Sequence, residues 1–287
     1  MQDTIFAYPA DPVCPDYFAK LKTKNMRHPR IILALLVFTC TMAFAQTGEE
    51  YLEKEFVSQG DTLKYRILYP DDYTSDREYP VVLFLHGAGE RGHDNRSQLT
   101  HGSALFLKDS IRAQFPAIVI FPQCPKADYW ANAKVKRGRT PLKIKFRYGR
   151  KPTRPLGLVM ALMDSMVQTP SVKQEQVYVM GLSMGGMGTF ELLYRKPDMF
   201  AAAIPICGGG KAASVKNYAV KLPLWIFHGA KDNVVDPLLS VHMVERLLKE
   251  GANPKFTLYE NANHNSWDPA FAEPDLLPWL FSKTKKN

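Results

Sequence analysis

A serine stands between glycines in Gly181-Leu182-Ser183-Met184-Gly185, where the apolar, β-branched run Gln176 to Met180 ends. A helical pattern then opens through Thr189, Phe190, Leu192 and Leu193. A strand that turns at once into a helix has no room for side chains beside the turn, so glycines stand two residues either side of the serine. Ser183 would sit on strained backbone with its hydroxyl pushed out over the edge of a sheet. The N–H of Met184, opening the helix, would point where the oxyanion of an attacked carbonyl forms. The plainer reading of the same residues is a Gly-rich turn whose serine caps the helix. A hydroxyl is a poor nucleophile alone: it needs a base within reach and a third group to orient that base. Asp232 follows the buried run Leu224 to Phe227, and His264 follows Phe256 to Tyr259, in that chain order after Ser183. Both would stand beyond the carboxyl ends of strands, where open α/β sheets carry their sites. An Asx turn is the structural alternative for Asp232. Asp236, before Pro237, suits a helix cap better than catalysis. His228 reads as part of the turn, and His242 as a surface position on a helix.

The second oxyanion donor is expected from the loop after the first buried strand, His86-Gly87-Ala88-Gly89-Glu90-Arg91-Gly92. Gly87 and Gly89 let the backbone approach a substrate closely. The N–H of Ala88 is the candidate donor, with Gly89 next. Trp130 and Trp267 flank these loops; they read either as walls for an aromatic acyl group or a sugar face, or as core.

These groups need a scaffold. Residues 51–69 read as a hairpin around a Gly60-Asp61 turn. Val81 to Leu85 is apolar at every position, as in a strand buried on both faces of a mostly parallel sheet. Similar runs follow at Ala117 to Phe121, Val177 to Met180, Ala201 to Cys207, Leu224 to Phe227 and Phe256 to Tyr259. Helical patterns over Leu156 to Val167, Met184 to Arg195 and Leu238 to Lys249 alternate with them. The chain is therefore expected to be α/β, with helices on both faces of a mostly parallel sheet and an N-terminal β-hairpin.

The four stretches His86 to Gly92, Gly181 to Gly186, His228 to Val235 and His264-Asn265-Ser266-Trp267-Asp268 together resemble the α/β-hydrolase superfamily. More narrowly they resemble its secreted carboxylesterase branch, with phospholipase/carboxylesterase-like, feruloyl- or acetylxylan-esterase-like and dienelactone-hydrolase-like members, and relatives labelled as peptidases. The resemblance covers about residues 55–282. It implies Ser183 as nucleophile, Asp232 as the acid and His264 as the base, with Ala88 and Met184 N–H groups as the oxyanion hole. It implies a serine hydrolase of carboxylic esters, of feruloyl or acetyl type on polysaccharide, needing no metal or cofactor. A peptidase or thioesterase with the same triad is the catalytic alternative, and a non-catalytic carbohydrate-binding relative the alternative outside catalysis.

Hydrophobic residues make up 46% of the 287, which suits one globular domain with a short extension. Residues 1–25 are polar and without period. From Met26, a basic stretch (Arg27, His28, Arg30), an apolar run (Ile31 to Phe38) and Ala43-Phe44-Ala45 before Gln46 read as a secretory signal peptide over residues 26–45. The expectation is a chain translated from Met26, cleaved near Ala45 and exported, leaving one catalytic domain over 46–287. Cys124 and Cys207 would remain, paired or as buried thiols. No Cys/His spacing suits zinc.

The net charge is +9 and unevenly spread. From Lys134 to Arg154 there are ten Lys/Arg and no acid. This basic segment lies in an insertion at about 131–154, a position where the resembling enzymes vary widely, and Leu142 to Tyr148 alternates basic and apolar like a short hairpin arm. Two readings stand: a lid or arm that meets an anionic polymer, such as a uronate-bearing polysaccharide, and a solvated loop. Export argues against nucleic acid as the partner.

Overall fold

The computed structural model describes residues 50–285. The expected leader, its cleavage site, Cys14 and Cys40 lie outside the described residues. The strands are β1 (Leu52–Ser58), β2 (Asp61–Leu68), β3 (Tyr79–Leu85), β4 (Ile118–Pro122), β5 (Ala133–Lys136), β6 (Lys143–Phe146), β7 (Val172–Leu182), β8 (Ala202–Ile206), β9 (Trp225–Gly229) and β10 (Lys255–Tyr259). The helices are α1 (Ser103–Phe106), α2 (Asp109–Gln114), α3 (Arg154–Met166), α4 (Met184–Arg195), α5 (Leu238–Lys249), α6 (Trp267–Ala272) and α7 (Leu276–Phe281).

Eight strands form one sheet in the order β1-β2-β4-β3-β7-β8-β9-β10. β1 and β2 run antiparallel, and β2 meets β4 antiparallel. From β4 to β10 every pairing is parallel. This is the expected mostly parallel sheet with its hairpin at one edge. The hairpin turn falls one residue earlier than Gly60-Asp61, because Ser58 pairs with Asp61. Gln59 and Gly60 fill the two turn positions at φ 52° and 81°. Positive φ at both positions matches the twist of the flanking strands.

The apolar run of β3 shows why it is central. Val81, Leu83 and Leu85 join one core with Leu162 of α3, Leu192 of α4 and Met243 of α5. Val82 and Phe84, pointing the other way, join a second core with Phe106 of α1, Ala270 of α6 and Leu280 of α7. Alternate residues of one strand thus feed both faces, and each large buried side chain contributes about 1.5–3 kcal/mol. α3 begins two residues before Leu156. Thr153 Oγ1 accepts the Leu156 N–H, and Pro155 sits in the first turn, where its missing N–H costs nothing.

The basic segment is an ordered antiparallel ribbon of β5 and β6. The alternation in Leu142 to Tyr148 marks its second strand; the first, Ala133–Lys136, escaped the periodicity. Among the described residues no helix is long and apolar enough to cross a membrane.

Candidate active site

Ser183 stands at the N-cap position of α4 at φ 53° and ψ −115°, a conformation that non-glycine residues rarely hold, and its hydroxyl makes no capping bond to the helix. The packing that imposes it is visible at the neighbouring glycines. A Cβ on Gly185 would lie 1.8 Å from the Leu85 carbonyl oxygen, and one on Gly181 2.5 Å from the Gly185 oxygen. β7, α4 and β3 therefore approach more closely than any side chain permits. The Ser183 N–H donates to Ile206 O on β8, and its carbonyl accepts from Met187 N–H, fixing the turn on both sides.

The three residues expected to act together are brought together. His264 Nε2 lies 2.9 Å from Ser183 Oγ, and His264 Nδ1 lies 2.8 Å from Asp232 Oδ2. Asp232 ends the turn after β9, and its Oδ1 accepts the N–H groups of Val234 and Val235. The loop carrying His264 crosses directly over Gly229, where a Cβ would fall 2.3 Å from Asn263 O. Asn263 Oδ1 accepts from both Asn233 and His264 N–H groups, stitching the Asp232 loop to the His264 loop. Burial alone would raise the Asp232 carboxyl, but hydrogen bonds from His228, His264 and Val235 hold it well below the usual carboxylate range. It is therefore an anion that can fix the imidazole with its proton on Nδ1, leaving Nε2 to face the serine.

The sequence left His228 as part of a turn, and the structure gives it more. Its Nε2 lies 3.1 Å from Asp232 Oδ2 and 3.1 Å from Val235 O, so Nε2 carries the proton. Its Nδ1 meets Ser240 Oγ at 2.7 Å. Asp232 Oδ2 is thus shared by two imidazoles, one fully buried behind it and one half-buried in front. The spacing of four residues between His228 and Asp232 was the available signal. Asp236 caps α5 through Leu238 N–H, and His242 is exposed on that helix, both as expected.

The loop His86 to Gly92 passes beside the serine: a Cβ on Gly87 would lie 3.8 Å from Ser183 Cβ. His86 pins this loop. Its Nδ1–H donates to Gly87 O at 2.6 Å and its Nε2 accepts Cys124 N–H at 3.0 Å. Burial lowers its pKa from the ordinary 6.5 to about 4, so it is neutral at physiological pH. Ala88 follows Gly87 on this loop. The Met184 N–H, in the first turn of α4, has no intrahelical acceptor. Gly89 has open space around it.

The two tryptophans separate. Trp130 corrects the reading as a wall: it is fully buried, its Nε1 donates to His86 O, and Gly188 of α4 packs on its Cβ. Close packing of α4 on the loop leaves it no face for a substrate. Trp267 stays at the site, half-buried, with its ring 5.4 Å from His264 and 5.1 Å from His101. Cys124 and Cys207 are buried free thiols, which removes the pairing alternative. No metal-binding cluster of His, Cys, Asp or Glu occurs among the described residues.

The ribbon of β5 and β6 leans on the site. Leu142 N–H donates to Val234 O at 2.9 Å, two residues from Asp232. Ile144 and Phe146 pack on Ala131, Met187 and Val235. Its two roots are gathered by Glu191 and Arg195 of α4. The fully buried Glu191 accepts Asn132 N–H and pairs with Arg195, which also donates to the carbonyls of Tyr148 and Arg150.

Comparison with known proteins follows the same outline. A thermostable esterase of known structure is 31% identical, with a TM-score of 0.73 over 82% of this chain and 64% of its own. A ferulic acid esterase structure shares the fold at 14% identity, with a TM-score of 0.59 over 80% of this chain and 97% of that one. The bifunctional acetylxylan esterase/xylanase XynS20E of Neocallimastix patriciarum is 26% identical over 170 residues, 59% of this chain. The match spans about a fifth of that larger protein, 21% of its length. Residues 144–275, which include Ser183, Asp232 and His264, match the Dienelactone hydrolase family. By its sheet order, its strand–turn–helix at Ser183 and these likenesses, the chain is a protein of the α/β-hydrolase fold, with the Dienelactone hydrolase family signature in its C-terminal half.

Proposed function

We propose that this protein is an exported serine hydrolase that cleaves carboxylic esters on, or released from, polysaccharides. One observation carries the reading: Ser183, His264 and Asp232 form a continuous hydrogen-bonded chain at the carboxyl ends of the parallel strands. Ser183 Oγ attacks the ester carbonyl while His264 Nε2 takes its proton. The carbonyl oxygen becomes an oxyanion facing the N–H groups of Met184 and Ala88. His264 then passes the proton to the leaving alcohol, leaving an acyl group on Ser183. Water, deprotonated by the same imidazole, releases the acid and restores the serine. Asp232 remains ionised throughout and steadies the imidazolium. The half-buried Trp267, beside His264, is suited to lie against an aromatic acyl group or a sugar face. No step calls on a metal or cofactor.

The likeness to an acetylxylan esterase/xylanase supports an acetyl ester on polysaccharide; a feruloyl ester is the other acyl type of the same proposal. The test compares the native protein with Ser183→Ala on p-nitrophenyl acetate, acetylated xylan and a feruloylated oligosaccharide. Turnover should fall by about four orders of magnitude or more in the variant. A folded native protein inert on every ester, but active on a peptide or thioester, would overturn the esterase reading.

A further inference from the structure

The β5–β6 ribbon has two unlike faces. On one, Val135 opposes Ile144 and Ala133 opposes Phe146, and Ile144 and Phe146 pack toward Met187 and Val235. On the other, Lys134 opposes Lys145 and Lys136 opposes Lys143, all four exposed. Opposed residues of an antiparallel pair share a face, about 4.5–5.5 Å apart, and the next pair on that face lies about 7 Å along the strand. The four ammonium groups therefore form a two-by-two array. Arg137 and Arg139 in the connecting turn, and Arg150 and Lys151 beyond the ribbon, are exposed beside it. Among the described residues, the ion pair made by this segment is that of Arg154 with Asp61, at its far end.

Like charges placed directly opposite destabilise a ribbon. This ribbon holds two such pairs without a carboxylate to relieve them. It is nonetheless fixed in position: Leu142 is tied to the Asp232 loop, and both roots are tied to the buried Glu191–Arg195 pair. Its apolar face reaches Met187, whose N–H bonds the carbonyl of Ser183. The ribbon is thus built onto the wall of the site by its apolar face, with the lysine array on its outer face.

We propose that this lysine face is a docking surface for a linear polyanion bearing regularly spaced carboxylates, a uronate-bearing polysaccharide, held on the outer face of the ribbon that walls the site. A neutral polymer gains nothing from an array of unpaired cations, whereas a carboxylated one neutralises them. The choice of a polysaccharide over other polyanions rests on the esterase reading above. Its uronate sugars then supply the charge, and its esters the reacting group.

The experiment measures binding of the native protein to polygalacturonate, neutral xylan, duplex DNA and phosphatidylglycerol vesicles. The same set is run on the combined variant Lys134→Gln, Lys136→Gln, Lys143→Gln and Lys145→Gln. Polygalacturonate should bind in preference to neutral xylan, weaken with added salt, and lose roughly tenfold or more in affinity in the variant. Loss of repulsion should leave the variant's melting temperature at or above that of the native protein. Equal affinity in variant and native protein overturns the proposal, as does binding of DNA or vesicles in preference to polygalacturonate. p-Nitrophenyl acetate, which carries no charge for the array, reads the triad separately. Native protein inert on it and on the other esters named above, but active on a peptide or thioester, overturns the esterase reading, while the binding comparison still judges the lysine face.

Discussion

At the residue scale, the chemistry rests on how Asp232 is held. Its Oδ2 meets His264 on one side and His228 on the other, while two backbone N–H groups occupy Oδ1. A carboxylate anchored at both oxygens cannot rotate away from the imidazole it orients. His228 is therefore a positioning residue that acts through Asp232. A hydrogen bond to a charged group contributes about 1.5–3 kcal/mol, so His228→Ala should lower kcat roughly tenfold to a hundredfold with KM nearly unchanged. His228→Gln, which keeps a side-chain N–H donor, should recover part of the loss. A His228→Ala variant with native kcat per folded molecule and only a lower melting temperature would reduce the residue to a packing role.

At the scale of elements, α4 does two jobs. Its first turn presents the Met184 N–H beside Ser183, and its last turns hold the ribbon through Glu191 and Arg195. Burial raises the Glu191 carboxyl, and the Asn132 N–H and Arg195 oppose that rise. Removing one partner of a buried pair leaves the other uncompensated, at a cost of about 3–5 kcal/mol. Glu191→Ala should cost stability of that order in urea unfolding. The ribbon roots should also loosen, so trypsin should cut after the basic residues from Lys134 to Arg150 faster than in the native protein at temperatures where both remain folded. Unchanged cleavage of the ribbon would show that its apolar face alone holds it.

At the scale of the whole molecule, stability depends on pH through a histidine that the chemistry does not use. His86 is neutral inside the fold, with its pKa lowered from 6.5 to about 4 by burial. Between those values the unfolded chain binds the proton more readily than the folded one. Its contribution is therefore fully present above about pH 6.5 and is lost as the pH falls toward 4, amounting to about 3 kcal/mol. Urea unfolding at pH 7 and pH 4.5 should show this slope, and His86→Gln should flatten it even if it lowers stability at pH 7. Equal slopes in the two proteins would remove His86 as the cause. The carboxylate of Asp232, held low by its hydrogen bonds, titrates below this window.

The sequence by itself determined the parallel strands, the three long helices and the residues that meet at the site, because each is written in local pattern. Runs apolar at every position mark strands buried on both faces, and glycines around Ser183 mark a turn that admits no side chain. The short helices α1, α2, α6 and α7 carry too few turns to show a period, and the four residues of β5 are too few for their alternation to stand out. Only the tertiary structure decided which faces of these elements are covered. It buried Trp130 under α4, left Trp267 beside His264, and kept Cys124 and Cys207 apart as thiols. It also set His228 behind Asp232 and turned four lysines to one side of a ribbon. The burial of Trp130 and the separation of the two thiols depend on which residues distant in the chain become neighbours, and such contact leaves no trace in local spacing; the spacings of His228 from Asp232 and of the lysines were legible, but not what would stand against them.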